Sequence, residues 1–475
     1  MDEHQQAPVT PPGDADDDEP RDTPAPYRQI LRHRGVRTLT MSRLASRTAQ
    51  STLGYGTMVH LGVQGASQLQ VSLVGSSSYF APLLFGVQGG SVADSLSKRV
   101  ALAFGFFAQA ALCIFTVMFL GTTVGSLMFL MFMTSLLMQV VTPSIKAAVA
   151  IVASPSEMAS VNAVISLVSS IGSALGSTLV APLLINFANI DAILYVSAFF
   201  FTLGAVRVLR MDAEPRANVG ERLRAIDWKP RAVSLRANSA WINTHRPIAT
   251  MVLTGAIVVS LFEAFNTLIP VYVRDVLNAN PAHAIYIFAP AGAGFFIATI
   301  LAPWIIMRWG ERRMAVVSLA CMSIGMILFG LIRVVAPVFS IISPLRLLAP
   351  FGVHLSDEIL AASVIAIPTN FGSTGAGAAV DNFVNRHVPV KRQGAVFGLK
   401  EVQENGLTIF TVLALGVVST IVGPRIVMIA APVIVILAVL WLLRYSMRRA
   451  GEPIMTRREA FRVLTADEPV RSMQD

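Results

Sequence analysis

VALAFGFFAQAALCIFTVMFLGTTVGSLMFLMFMTSLLMQVVTPSI, running from Val100 to Ile145, contains no charged side chain. An α-helix rises about 1.5 Å per residue and the hydrocarbon core of a bilayer is about 30 Å thick, so roughly 20 apolar residues span it. The stretch is long enough for two crossings. Gly121-Thr122-Thr123 supplies turn chemistry between them, and Arg99 and Lys146 mark the charged ends. Two membrane helices joined by a tight turn are predicted.

The rest of the chain shares this character. Of 475 residues, 54% are hydrophobic and 14% charged, with a mean hydropathy of +0.63, whereas an ordinary soluble domain is about 25% charged. A soluble protein and a mostly disordered one are both excluded. Cys113 and Cys321 are too few for a disulfide framework or a four-ligand zinc site. They read as small apolar groups packed inside or facing lipid. The net charge of +9 fits basic cytoplasmic loops against anionic headgroups. With no sizeable soluble domain, nucleic acid is not an expected partner.

Apolar segments recur at about 40–63, 67–90, 99–120, 124–148, 158–184, 190–209, 248–272, 283–306, 314–336, 357–384, 393–421 and 425–444. Twelve spans are therefore expected, the first being the most polar because Arg47, Gln50 and His60 interrupt it. Alternate connections differ sharply in charge. One set holds Lys98 and Arg99, the Arg207–Arg246 stretch, Arg312 and Arg313, Lys391 and Arg392, and Arg448 and Arg449; the other set is poor in Lys and Arg. The positive-inside rule places the first set and both termini in the cytoplasm of a multi-pass cell-membrane protein. The acidic, Pro-rich start DADDDEPRDTPAP (Asp14–Pro26) is unlike a signal peptide and reads as disordered. The expected organisation is a disordered cytoplasmic tail (1–36), a six-helix bundle (37–210), a cytoplasmic linker (211–247), a second six-helix bundle (248–445) and a short cytoplasmic tail (446–475). The linker mixes Arg222, Arg224, Lys229, Arg231 and Arg236 with Leu223, Ile226 and Trp228. It suits either a helix on the inner leaflet or a solvated connection.

The two halves repeat. Lys98-Arg99 precedes the third span and Arg312-Arg313 the ninth, an offset of roughly 214 residues. Later spans are displaced further, which puts an insertion around Pro337–Leu355. The fold class is thus an all-α membrane protein, with twelve transmembrane helices in two six-helix bundles related by pseudo-twofold symmetry. Secondary transporters built from such repeats bind ligand between the halves.

Between spans two and three the chain reads GSVADSLSKR (Gly90–Arg99). Gly90, Asp94, Lys98 and Arg99 sit where the major facilitator superfamily carries glycine, aspartate and a closing basic pair, and the sequence resembles that family here. Ser95 and Ser97 replace a basic residue and a glycine of the family motif, and the second-half counterpart PWIIMRWGERR keeps Gly310, Arg312 and Arg313 without the aspartate. The resemblance implies a conformational gating role for Gly90, Asp94, Lys98 and Arg99; a turn whose charges only set topology is the alternative. MSRLASRTAQSTLG (Met41–Gly54) and VPVKRQGAVFG (Val388–Gly398) are similar to the drug:proton antiporter branch that includes macrolide and enterobactin exporters. In the fifth span Gly172, Gly176 and Pro182 echo that branch's glycine-rich motif but lack its Gly-Pro pair. Close helix packing explains them as well.

Ionisable groups inside spans cost about 2.5–3.5 kcal/mol at the membrane centre, so they face cavities or partners. Glu263 lies midway along span seven, with Asn266 one turn away. A carboxyl there can take up and release a proton as its surroundings change, or it can be paired permanently with a cation such as Arg47. Asp381, Lys400, Glu401 and Glu404 occupy the inner ends of spans ten and eleven. They read either as a polar patch on an inward cavity, with Asp381, Glu401 and Glu404 as further proton-coupling candidates, or as an ion-pair network locking the inner gate. Arg47, His60, Asn266 and Lys400 are the expected polar groups of the cavity.

Together these readings predict a monomeric secondary transporter that moves an apolar or amphipathic small molecule outward in exchange for protons. It uses no cofactor or metal, and the proton gradient is its energy source. No Walker-type loop is present to supply ATP energy. An importer or uniporter on the same fold, or a sensor that moves nothing, are the rival functions, and an enzyme is not expected for want of clustered nucleophiles or ligands.

Overall fold

A computed structural model of the chain describes residues 33–153, 157–211, 245–351 and 355–449, and these contain no strand. The first half holds α1 (Arg34–Val63), α2 (Gln68–Ser95), α3 (Lys98–Phe115, extended by a π-helical turn Thr116–Leu120), α4 (Val124–Val152), α5 (Met158–Ala174, continued through π-helical Leu175–Val180 into Ala181–Phe187) and α6 (Ile190–Val208). The second holds α7 (Arg246–Asp275), α8 (Ile285–Trp309), α9 (Glu311–Gly330), α10 (Asp357–His387), α11 (Val390–Val422) and α12 (Pro424–Arg449). The insertion expected between spans nine and ten is a short helix, Ile332–Phe339, followed by a 3₁₀ segment, Pro344–Phe351. The linker 212–244 and the residues before 33 and after 449 lie outside the described residues.

Local chemistry sets the boundaries. Ser67 caps α2 in a reciprocal box with Gln70, while Thr123, Asn189 and Ser356 accept hydrogen bonds from the first turns of α4, α6 and α10. Gly121, with φ of 68°, takes the left-handed conformation that ends α3 where the charge-free stretch was expected to break.

Among the described residues, nine helices are long and apolar enough to cross a membrane: α3 to α11. α1 and α2 fall short because their polar residues are dense. The apolar part of α12 with described side chains, Pro424–Leu437, is only a short helix. Large apolar side chains point away from the core. Phe104 is 64% exposed, Met307 79% and Phe410 70%, a surface suited to lipid rather than water.

The packing repeats between halves. In the first, α1 contacts α5 and α6, α2 contacts α4, and α3 contacts α4 and α6; in the second, α7 contacts α11 and α12, α8 contacts α10, and α9 contacts α10 and α12. Each of these five pairings recurs six helices later. Three contacts between halves follow the same exchange, α2 with α11, α5 with α8, and α1 with α7, and α2 also meets α7. One apolar core, including Phe106, Leu127, Ile193 and Phe201, lies mainly in the first half; a second around Phe329 draws Tyr55, Val59 and Ala181 from the first half as well, and a third around Phe383 lies in the second. Small residues allow the closest approaches. A Cβ on Gly176 would lie 2.4 Å from the Thr48 carbonyl oxygen, and one on Gly172 2.8 Å from that of Leu44. The glycines of span five are therefore packing residues between α5 and α1.

Candidate functional site

A cavity of about 770 Å³ opens between the halves. Among the described residues, its walls come from α1, α2, α4 and α5 and from α7, α8, α10 and α11, and none comes from α3, α6, α9 or α12. Its size is that of a small-molecule site.

α1 presents Arg47, Gln50, Gly54 and Met58 to the cavity along one face, at the three- and four-residue spacing of helical neighbours. α5 answers with Ser169, Ser173 and Ser177. Arg47 donates from Nη1 to Gln50 Oε1 (3.1 Å) and from Nη2 to Ser173 Oγ (2.9 Å). One turn back, Arg43 Nε donates to Ser169 Oγ at 2.8 Å. Gln50 in turn reaches the Met138 sulfur on α4.

Across the cavity, Glu263 on α7 accepts a hydrogen bond from the Tyr79 hydroxyl of α2 at 2.9 Å, and Asn266 of the same helix also lines the cavity. The Thr267 hydroxyl donates to the Glu263 backbone carbonyl (2.8 Å), one turn along the helix. The Glu263 carboxylate thus ties one half to the other through Tyr79. Arg47 acts on Glu263 electrostatically, but no Arg47–Glu263 ion pair forms among the described residues. Phe262, Phe295, Met131 and Met138 give the same cavity an apolar side.

Of the residues singled out in the sequence, the cavity brings together Arg47, Glu263 and Asn266. Lys400, Asp381 and Glu404 form their own cluster beside it, with Lys400 Nζ bonded to Asp381 and 3.5 Å from Glu404. Glu401 is exposed, although its backbone carbonyl accepts a bond from Asn405 (2.7 Å), which does line the cavity. His60 lies in the last turn of α1, near the charge of Asp191 at the start of α6, and does not line the cavity. Gly90 and Asp94 fall in the last two turns of α2, and Lys98 and Arg99 open α3. Lys98 Nζ donates to the Ala93 carbonyl at 2.7 Å, capping the end of α2.

Sequence reasoning missed Tyr79, Gln50, Asn370, Asn405 and the serines of α5. The four-residue spacing of Ser169, Ser173 and Ser177 was the available signal, since it puts three hydroxyls on one helical face. It also missed Glu311, next to the second-half glycine. Glu311 is only 3% exposed and pairs with Arg386 of α10 at 2.8 Å, so the second half uses this acid to hold α9 against α10.

Residues 39–357 match the family model described as Major Facilitator Superfamily. No curated protein sequence matches the chain. Among solved structures, a nucleoside transporter NupG mutant covers 86% of this chain and 99% of its own at 14% identity, with a TM-score of 0.66. A bacterial homologue of the iron transporter ferroportin in an inward-facing state covers 86% and 98%, at 14% identity and a TM-score of 0.60. A bacterial homologue of the lysosomal transporter Spinster covers 88% and 96%, at 13% identity and a TM-score of 0.58. At such identities the likeness concerns the fold alone.

Proposed function

This chain belongs to the major facilitator superfamily, and from that premise we propose that it exports an amphipathic small molecule in exchange for protons, by rocking of its two halves about the central cavity. It does so in the cell membrane, with both termini in the cytoplasm. The chemistry is movement rather than bond-making.

The observation that carries the reading is the Tyr79–Glu263 hydrogen bond, a contact between halves made by a carboxylate in the cavity wall. An ionised Glu263 carboxylate accepts from Tyr79; a protonated one gives up part of that acceptor capacity and becomes a donor itself. Protonation therefore changes how strongly the halves are held together. A ligand that prefers one arrangement completes the coupling, because differential affinity is what shifts a two-state equilibrium. The Lys400–Asp381–Glu404 cluster, paired within the second half, is a gate support in this scheme, and Gly90, Asp94, Lys98 and Arg99 are its switching segment.

Transport in proteoliposomes tests it, with an imposed pH jump and a panel of lipophilic cations, macrolides and siderophores. Wild type is expected to accumulate a panel member in response to the gradient. Glu263→Gln should lower that gradient-driven flux at least tenfold while gradient-independent exchange persists. Undiminished pH-driven flux in Glu263→Gln removes Glu263 from the coupling role.

A further inference from the structure

We propose that Arg43 and Arg47 form the head-group pocket for an anionic ligand, a carboxylate or phosphate ester whose apolar body lies in the central cavity. The proposal deepens the transport reading and rests on it for the cavity's role.

The two guanidinium groups stand one turn apart on α1 and meet a matching pair of hydroxyls on α5, Arg43 at Ser169 and Arg47 at Ser173. All their recorded hydrogen-bond partners are neutral: two serines and Gln50. Arg43 Nη1 and Arg47 Nε are buried donors without a hydrogen-bond partner. Arginine does not discharge in proteins, and an uncompensated buried charge costs free energy until an anion meets it. The protein's own anion is already engaged. Glu263 is the sole carboxylate among the described lining residues; it attracts Arg47 across the cavity but is hydrogen-bonded to Tyr79 and pairs with neither arginine. Two adjacent planar forks with spare N–H groups suit the paired oxygens of a carboxylate or phosphate. Phe262, Phe295, Met131 and Met138 line the same cavity and supply contact for an apolar body.

Equilibrium binding tests this without any gradient. Purified protein in phosphatidylcholine nanodiscs is titrated calorimetrically with 1-naphthoate, 1-naphthyl phosphate and 1-naphthylmethylammonium, which share one body and differ in head-group charge. Both anions should bind at least tenfold tighter than the cation. Arg43→Gln and Arg47→Gln should each weaken anion binding at least fivefold, whereas Arg346→Gln, at an exposed position outside the cavity, should leave it unchanged. Cation binding as tight as anion binding overturns the proposal, as does the absence of measurable anion binding. Unaltered anion affinity in the Arg43→Gln/Arg47→Gln double variant also overturns it. Should the arginine variants not fold, the wild-type preference decides the matter alone. Because both faces are at one pH, a failure of proton coupling in the flux assay leaves this result intact, and the converse holds. Repeating the titration in nanodiscs containing phosphatidylglycerol identifies the source: competition for naphthyl phosphate marks a lipid headgroup, and its absence marks a soluble anion; either upholds the pocket.

Discussion

Tyr79 illustrates why single residues in a membrane span are hard to read. A tyrosine in an apolar run ordinarily signals an interfacial anchor, and nothing in its neighbours marks it otherwise. In the fold its hydroxyl bridges to Glu263 on the opposite half. Glu263, by contrast, was legible because a lone carboxylate in an apolar helix needs a reason to be there. Its predicted alternative partner, Arg47, instead bonds Gln50 and Ser173. Tyr79→Phe removes the bridge and keeps the ring. Gradient-driven flux in proteoliposomes should fall about threefold to tenfold, since one charge-assisted hydrogen bond is worth about 1.5–3 kcal/mol and only the part lost differently in the two access states counts. Wild-type flux in this variant would make the bridge incidental.

Among the elements, α1 and α5 carry the clearest trade between stability and function. α1 is too polar to pass as a membrane helix by composition, because it carries Arg47 and Gln50 for the cavity and Arg43 against Ser169 of α5, while it packs against α5 and α6. The closest backbone approaches of α5 to α1 are at Gly172 and Gly176. Gly176→Ala places a Cβ 2.4 Å from the Thr48 carbonyl oxygen and 2.8 Å from the Thr52 amide nitrogen. That overpacking should cost about 1–3 kcal/mol and lower the thermal unfolding midpoint in detergent. Gly125→Ala in α4 is the control, because its Cβ meets nothing within 4 Å. Equal midpoints for the two variants would mean that α1 and α5 are free to separate. The sequence pointed to these glycines as serving antiport or packing; the backbone distances show that they pack α5 closely against α1.

For the assembled molecule, one end of the cavity is sealed by contacts between halves. Arg274 of α7 donates to the carbonyls of Gly62 (3.2 Å) and Ala66 (3.0 Å), at the end of α1 and just beyond it. Gln68 of α2 donates to the Thr267 carbonyl of α7 at 3.1 Å. A Cβ on Gly416 of α11 would lie 2.3 Å from the Ser72 hydroxyl of α2. Arg274→Ala should favour opening at this end. With Cys113 and Cys321 replaced by Ala, a cysteine introduced at Ser72 should react severalfold faster with a maleimide when Arg274 is also Ala. An unchanged labelling rate would show that the arginine does not hold this end shut.

Composition and the recurrence of apolar runs sufficed for the fold class, most helix boundaries to within a few residues, the doubled architecture and the inserted segment, because crossing a bilayer demands long apolar runs and forbids unpaired backbone. A bilayer writes that demand into every span. The ninth span, expected over 314–336, nonetheless ends at Gly330, and a separate helix follows. Partner choice was hidden, because the groups that meet in the cavity come from helices far apart in the chain. The Tyr79–Glu263 bridge, the two arginines against the α5 serines, the separation of Lys400 from the cavity and the pairing of Glu311 with Arg386 all depend on how helices rotate and approach. Small residues at the crossings fix that geometry, and it exists only once the halves have packed.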